Sequence, residues 1–475
     1  MTLHFALTSL PASAALFATA ATLAAQQPAA GQAAGHGPPV RQLGPVVAKT
    51  TEPLATVAGI RGLPGGGVLV NDIVKRRVLL FDSTMTTFTV VADSTSSTAN
   101  AYGPRPGGLI QYRGDSTLFV DAASLSMLVI DPAGKITRVM SVPRTQDASF
   151  LAGGAFGGVG FDAAGRLVYR STNFVMPKRP PGGGGGGENK LPIMPQQPDT
   201  APVLRVDLKT RQLDTAGFIK VPKVNMQVTQ SGDGRIMMTS ELNPLPLVDD
   251  WAVLSDGSIA FVRGRDYHID WLNADGTRSS SPKMPFDWQR LSDDDKVAFI
   301  DSVKAVRARM AASGQVVTSS GERITMSAGE KAAGAGGEKA AAAGASPERQ
   351  TIMVFGGAGG REGAPPGRPG AGPNVAGMTM PQVTFVSPSE LPDYKPPFFA
   401  GSVRADADGN LWIRTIATKP VQGGPVYDVV NRRGELVDRV QMPAGRTIAG
   451  FGTGGVVYLG TRDDAGFHLE RARVR

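Results

Sequence analysis

The chain has no cysteine and only four histidines in 475 residues. Without a thiol there is no disulfide framework, no thiolate nucleophile and no Cys-ligated zinc or iron–sulfur centre. His4 and His36 fall in the leading segment, which leaves His268 and His468 for a folded body. Two histidines cannot supply a three-His metal site within one chain. Aromatic residues make up 6%, low for a surface that stacks sugars or bases. Basic residues outnumber acidic ones by 8, but the positive charges are scattered and no run of five occurs. Nucleic-acid binding needs clustered cations. We therefore expect no nucleic-acid partner and a solvated basic surface instead.

Long apolar runs are equally scarce. Residues 1–40 carry no Lys, Arg, Asp or Glu, and 5–25 are mostly Ala, Leu, Phe, Thr and Ser. This pattern predicts a secretory signal over 1–25, cleaved near Ala25, and a periplasmic or extracellular address. Pro11 and the modest hydrophobicity of the stretch argue against a membrane anchor. No span is expected once the signal is removed. A polar Pro/Gly/Ala tether follows over 26–48 and is expected to be disordered.

What the chain has in excess is glycine, 60 residues, and proline, 36. Much of this excess sits in two low-complexity tracts at 176–201 and 327–380, which cannot bury enough apolar surface to offset their ordering entropy. The remainder punctuates short alternating strands. Self-similar stretches stand out at 59–91, 108–140, 158–172 continued at 202–217, 250–280, 401–440 and 447–475. Each has a short strand, a Gly-containing turn, a strand such as VLVND, LFVDA or LWIRT, a loop, and two further strands. Such four-stranded units are the blades of a β-propeller, where each sheet covers the next. The expected fold is all-β, a six-bladed propeller over 49–475. The hairpin at 224–240 has no assigned place; it extends the third unit or begins a seventh.

One stretch, 287–313, breaks the strand pattern. Ser292 is a good N-cap, and Asp293, Asp294 and Asp295 suit the positive end of a helix. Phe299, Val303, Val306 and Met310 form one apolar stripe. An inserted amphipathic helix is expected, packed on the propeller rim or offered to a protein partner.

The stretches LPGGGVLVNDIVKRRVLLFD (63–82), DDWAVLSDGSIAFVRGRDYHIDWLNADG (249–276) and ADGNLWIRT (407–415) resemble the secreted bacterial six-bladed propellers of the NHL/TolB-like group. The resemblance implies fold more than activity. Calcium-dependent lactonases, amidating lyases, streptogramin lyases and plain interaction domains all belong to that wider group. The amidating lyases need several channel histidines for zinc, and this chain lacks them.

In a propeller the ends of the second strands and the loops entering the first strands converge around the channel. Those positions hold Asn71, Asp72, Asp121, Arg170, Arg263, Arg265 and Arg414, with Arg61, Asp249 and Asp250 from the entering loops. Guanidinium groups can grip a carboxylate or phosphate through paired donors. The ligand set Arg61, Asp72, Asp121, Arg170, Asp250, Arg263, Arg265 and Arg414 is therefore expected to face a small anion. The competing outcome is that these residues pair with one another and close the channel. Asn71, Asp72, Asp121 and Asp250 offer oxygen ligands for calcium, but arginine at three second-strand ends would repel a dication. No metal or cofactor is expected. His268 shares a strand face with Asp266 and Asp270, and no G-x-S-x-G elbow accompanies it. No catalytic constellation is visible. The sequence thus predicts a monomeric binding scaffold for a protein or small anionic ligand. The alternative is a lactonase-like hydrolase or lyase using channel-face carboxylates, with or without calcium.

Overall fold

Each self-similar stretch folds as one antiparallel sheet. A computed structural model describes residues 37–95, 102–153, 157–172, 198–223, 225–230, 236–312, 315–317, 323–325, 382–418 and 422–474. The expected signal (1–25), the first part of the tether (26–36), most of the 176–201 tract and the whole 327–380 tract lie outside the described residues.

The first sheet joins Val57–Gly62, Val68–Asp72, Arg77–Phe81 and Phe88–Ala92. The second joins Gly108–Gln111, Thr117–Asp121, Ser126–Ile130 and Ile136–Ser141. The third joins Gly160–Phe161, Leu167–Arg170, Thr200–Val206 and Leu213–Lys220. The fourth joins Asp250–Val253, Ile259–Arg263, His268–Leu272 and Arg278–Ser280. The fifth joins Val403–Ala405, Leu411–Arg414, Val426–Val430 and Leu436–Gln441. The sixth joins Thr447–Phe451, Val456–Asp463 and Gly466–Arg473.

The second strands are apolar on both faces because each face meets a different neighbour. In the first sheet Val68 and Val70 pack with Tyr458 and Leu469 of the sixth. Leu69, one position out of phase, packs with Phe119 and Leu128 of the second. The same division repeats between the second and third sheets, the third and fourth, the fourth and fifth, and the fifth and sixth. Burying each such side chain stabilises the fold by roughly 1.5–3 kcal/mol before entropy is subtracted. Sheets stacked face to face around a cavity lined by all the first strands make a β-propeller.

The sixth sheet has only three strands of its own, so its outer edge would be left unpaired. The chain near its start covers it: Ala48–Lys49 pairs antiparallel with Glu470 and Arg471. Val40–Gln42 adds to the fifth sheet, parallel to Arg439–Gln441. The tether expected to run to 48 is thus corrected from Gly37 onward, because two sheet edges give that backbone its hydrogen bonds.

The hairpin of Asn225–Gln230 and Ile236–Leu242 joins neither neighbouring sheet. It pairs in parallel with Gln382–Phe385 to form a separate three-stranded sheet. Helix α1, Asp293–Ala312, belongs with it. Ser292 Oγ accepts from Asp295 N at 3.2 Å while the Asp295 carboxylate accepts from Ser292 N at 2.9 Å, a reciprocal cap. Ile300, with Phe299, packs on Leu245, Leu291, Val386 and Leu391. Lys296 is buried and its ammonium reaches Asp393 at 2.7 Å. Along the expected apolar stripe Phe299 packs inward, whereas Val306 remains 38% exposed. Among the described residues no helix is long and apolar enough to cross a membrane.

Candidate active or binding site in the central channel

The first strands run side by side around the channel. We call their start, where the second strands finish, the head end, and their finish, at the turns into the second strands, the tail end. A cavity of about 700 Å³ occupies the channel and touches the first strands of all six sheets. Much of its wall is glycine, alanine and aliphatic side chains, including Gly59, Gly160 and Gly450. The charged groups that reach it are Arg61, Arg113, Asp162, Asp256, Arg404 and Asp406.

The three carboxylates in this wall hold their own turns. Asp162 accepts from Arg166 N at 2.8 Å and pairs with the Arg166 guanidinium at 2.8 Å. Asp256 accepts from Ser258 N at 2.9 Å and pairs with Arg432 at 3.1 Å. Asp406 accepts from Asn410 N, Asn410 Nδ2 and Trp412 Nε1 at 2.8, 3.0 and 3.0 Å. These are Asx-type turns, in which the short side chain substitutes for a backbone acceptor. Gly257 completes one of them at φ +86°, and a Cβ there would overlap the backbone of Ala163 in the adjacent turn.

The arginines have no such partners. Arg61 Nη1 donates to Gly62 O at 2.7 Å, while its Nε is buried with no hydrogen-bond partner. Burial pushes its guanidinium below the usual value, and Asp115 nearby opposes that shift. Arg404 Nη1 donates to Ile448 O at 2.7 Å. Arg113 lies over the Tyr112 ring at 6.0 Å. Among the described residues none of the three makes an ion pair with a carboxylate.

Of the eight residues expected to face a ligand, Arg61 alone lines the cavity. It sits opposite Leu69, near the tail end of its strand, whereas Asp72 pairs with Val57 at the head end. The structure therefore separates Arg61 from the residues it was grouped with. Asp72 is buried and accepts from Ala55 N, Thr56 N and Arg77 Nε at 3.1, 3.2 and 3.4 Å. Asp121 is buried and accepts from Ala123 N at 3.1 Å and Ser124 Oγ at 2.5 Å. Arg263 is held by Asp249 and Asp270, both at 2.8 Å, and by Phe218 O at 2.9 Å. Arg265 is exposed, and Arg414 is half-buried at the close of its strand. Asn71 donates to Gly107 O at 2.7 Å and accepts from the Tyr102 hydroxyl at 2.9 Å.

Asp250 is a strongly perturbed carboxylate at the head end. It accepts from Val403 N and Trp251 N, each at 2.9 Å, and so ties the fourth first strand to the fifth. Burial pushes its carboxyl up to about 6, against those donors and the Arg170 guanidinium. Burial likewise lowers Arg170, and Asp250 opposes it. His268 lies between Asp266 at 2.6 Å and Asp270 at 3.3 Å, on the shared face read from its strand. Among the described residues no group of three His, Asp or Glu side chains is placed to hold a metal ion.

Sequence reasoning missed Arg113, Arg404, Arg471 and Arg473 at the tail end. The signal was there for two of them: Arg471 and Arg473 alternate in the final strand, so both point to one face.

No protein-family model matches this chain, and no curated protein matches it. Solved structures do. The chain is similar to a calcium-binding protein, regucalcin, from Agrobacterium tumefaciens at 11% identity and TM-score 0.33, over 92% of this chain and 98% of that one. It is similar to a gluconolactonase from Xanthomonas campestris at 12% and 0.31, over 91% and 99%. It is similar to a catalytically inactive variant of virginiamycin B lyase from Staphylococcus aureus at 11% and 0.31, over 90% and 98%. Likeness at this level does not bear on activity.

Proposed function

We propose that the chain is an exported, six-bladed β-propeller that acts as a binding scaffold and takes an anionic ligand in its central channel from the tail end. One observation carries this reading. The cavity wall combines three arginines that lack carboxylate partners among the described residues with three carboxylates already engaged in their own turns. A buried, unpaired guanidinium edge is costly in the empty protein. A turn of the Arg61 side chain toward the cavity would let a bound carboxylate or phosphate satisfy it through two parallel N–H donors. Titration with small carboxylate and phosphate ions at constant ionic strength is expected to give saturable binding, which Arg61→Ala weakens about tenfold or more. Equal binding by the Arg61→Ala protein, or no binding by either, rejects the reading.

A hydrolase or lyase using channel-face carboxylates has one feature in its favour. Asp250, at about 6, titrates in the range useful for general acid–base work. That carboxyl is fully buried and bound by backbone amides, so it offers a substrate no free edge. A thermal shift with calcium, reversed by EDTA, would restore the enzyme reading. Export rests on the uncharged segment 1–40. Accumulation of the uncleaved chain in the cytoplasm of its host would reject it.

A further inference from the structure

A second cavity, about 880 Å³, opens beside the channel between the first and sixth sheets. Arg61 lines both cavities and forms the wall between them. The charged groups of the second cavity are Arg61, Arg471, Arg473 and Asp115. Arg471 approaches Gly66 O at 3.5 Å and bonds the Tyr458 phenol. Arg473 is exposed, and neither residue makes an ion pair with a carboxylate among the described residues. The loop between them and Arg61 is Leu63–Gly67, and its glycines keep side chains away from the guanidinium groups. Gly66 stands at φ +87°, where a Cβ would press on the Ser83 side chain at 3.2 Å, and Gly65 faces open space. Three guanidinium groups against one carboxylate leave an excess of two positive charges around one cavity.

We propose that the ligand is a compact polyanion whose two negative groups are joined by a short bridge, as in a diphosphate. One group is held at Arg61 in the channel, and the other at Arg471 and Arg473 in the side cavity. This rests on the channel reading above, since both share Arg61. A ligand with at least two charges offsets the two in excess, and a monovalent ion leaves one unmet. Arg61 borders both spaces; its Nη1 is held by Gly62 O, and its Nε is buried without a partner.

The test is calorimetric titration of the full chain with pyrophosphate, orthophosphate, citrate and acetate at constant ionic strength. Pyrophosphate is expected to bind at least about tenfold more tightly than acetate. Arg471→Ala with Arg473→Ala should reduce pyrophosphate to the acetate level and leave acetate unchanged. Arg61→Ala should abolish both, and Arg61→Lys should keep part of the charge attraction while losing the paired donors. Arg138→Ala, an exposed arginine on an outer strand, should change nothing. Equal affinity for pyrophosphate and acetate overturns the two-group assignment while the channel reading stands. Loss of all anion binding in wild type sinks both. Citrate binding as tightly as pyrophosphate moves the ligand to polycarboxylates and overturns the diphosphate assignment. An equal loss in Arg138→Ala reveals non-specific attraction and overturns the site.

Discussion

The two ends of the channel treat charge in opposite ways. At the head end the carboxylates have donors: Asp72 has Arg77, Asp121 has Ser124, Asp250 has two backbone amides, and Asp249 and Asp270 share Arg263. At the tail end the carboxylates turn away into their own loops and the arginines remain. The difference follows from chain geometry. Head-end loops connect separate sheets and need acceptors to tie them together. Tail-end turns are short hairpins whose Asp closes on itself within four residues, as Asp162 does with Arg166. Polar chemistry at the head end is therefore structural, and what is left unpaired at the tail end is open to a ligand.

The sharpest way to break this comparison is to remove a head-end carboxylate. Asp147 is buried and accepts from the Tyr169 and Ser171 hydroxyls at 2.7 and 3.1 Å, with Arg144 at 3.2 Å. Asp147→Ala leaves a buried phenol without its acceptor, and we expect a loss of about 3–4 kcal/mol in denaturant unfolding. Adding Tyr169→Phe should recover part of it, because the orphaned hydroxyl goes too. Arg404→Ala at the tail end should cost less than about 1.5 kcal/mol, the worth of one neutral-acceptor bond. Similar losses at the two ends would erase the distinction.

A smaller effect comes from Asp250. Its folded carboxyl holds a proton up to about 6, whereas an unfolded aspartate releases it near 3.9. Between those values the native state binds more protons than the unfolded state. Asp250 therefore favours folding fully below about pH 4, and that contribution is lost as pH rises through about 6. The span corresponds to roughly 3 kcal/mol at most, at 1.36 kcal/mol per unit. Stability measured from pH 4 to 7 should fall less steeply in Asp250→Asn. An unchanged slope would mean that other groups carry it.

Much of the sheet plan could be read from residues, because strands such as VLVND and LWIRT sit between two neighbours and must be apolar on both faces. The third first strand, only Gly160–Phe161, is too short to show a period of its own. The strands of 37–49 were missed because a Pro/Gly-rich segment becomes a strand only when an open edge meets it. The candidate site was less legible. Second-strand ends can be aligned by eye, which drew attention to the head end, but sequence does not show that each carboxylate there already has a donor. The tail-end arginines come from opposite ends of the chain: Arg471 reaches Gly66, 405 positions away, only when the sixth sheet docks on the first.

The smallest effect has the opposite sign and separates the two ends most cleanly. Like charges that face one cavity repel, so deleting one at the tail end should stabilise the empty protein. Arg113→Gln combined with Arg473→Gln removes two exposed guanidinium groups from that end without touching a buried hydrogen bond. At about 0.01 M salt, where screening extends over roughly 30 Å, the variant should melt about 1–2 °C above wild type. Near 1 M salt, where the screening length shrinks to about 3 Å, the two melting curves should coincide. Saturating pyrophosphate should reverse the order at low salt, since wild type gains more from the bound polyanion than the variant does. A variant that melts lower at every salt concentration would mean that these arginines are held by contacts like those of the head end, and the contrast between the ends would fail.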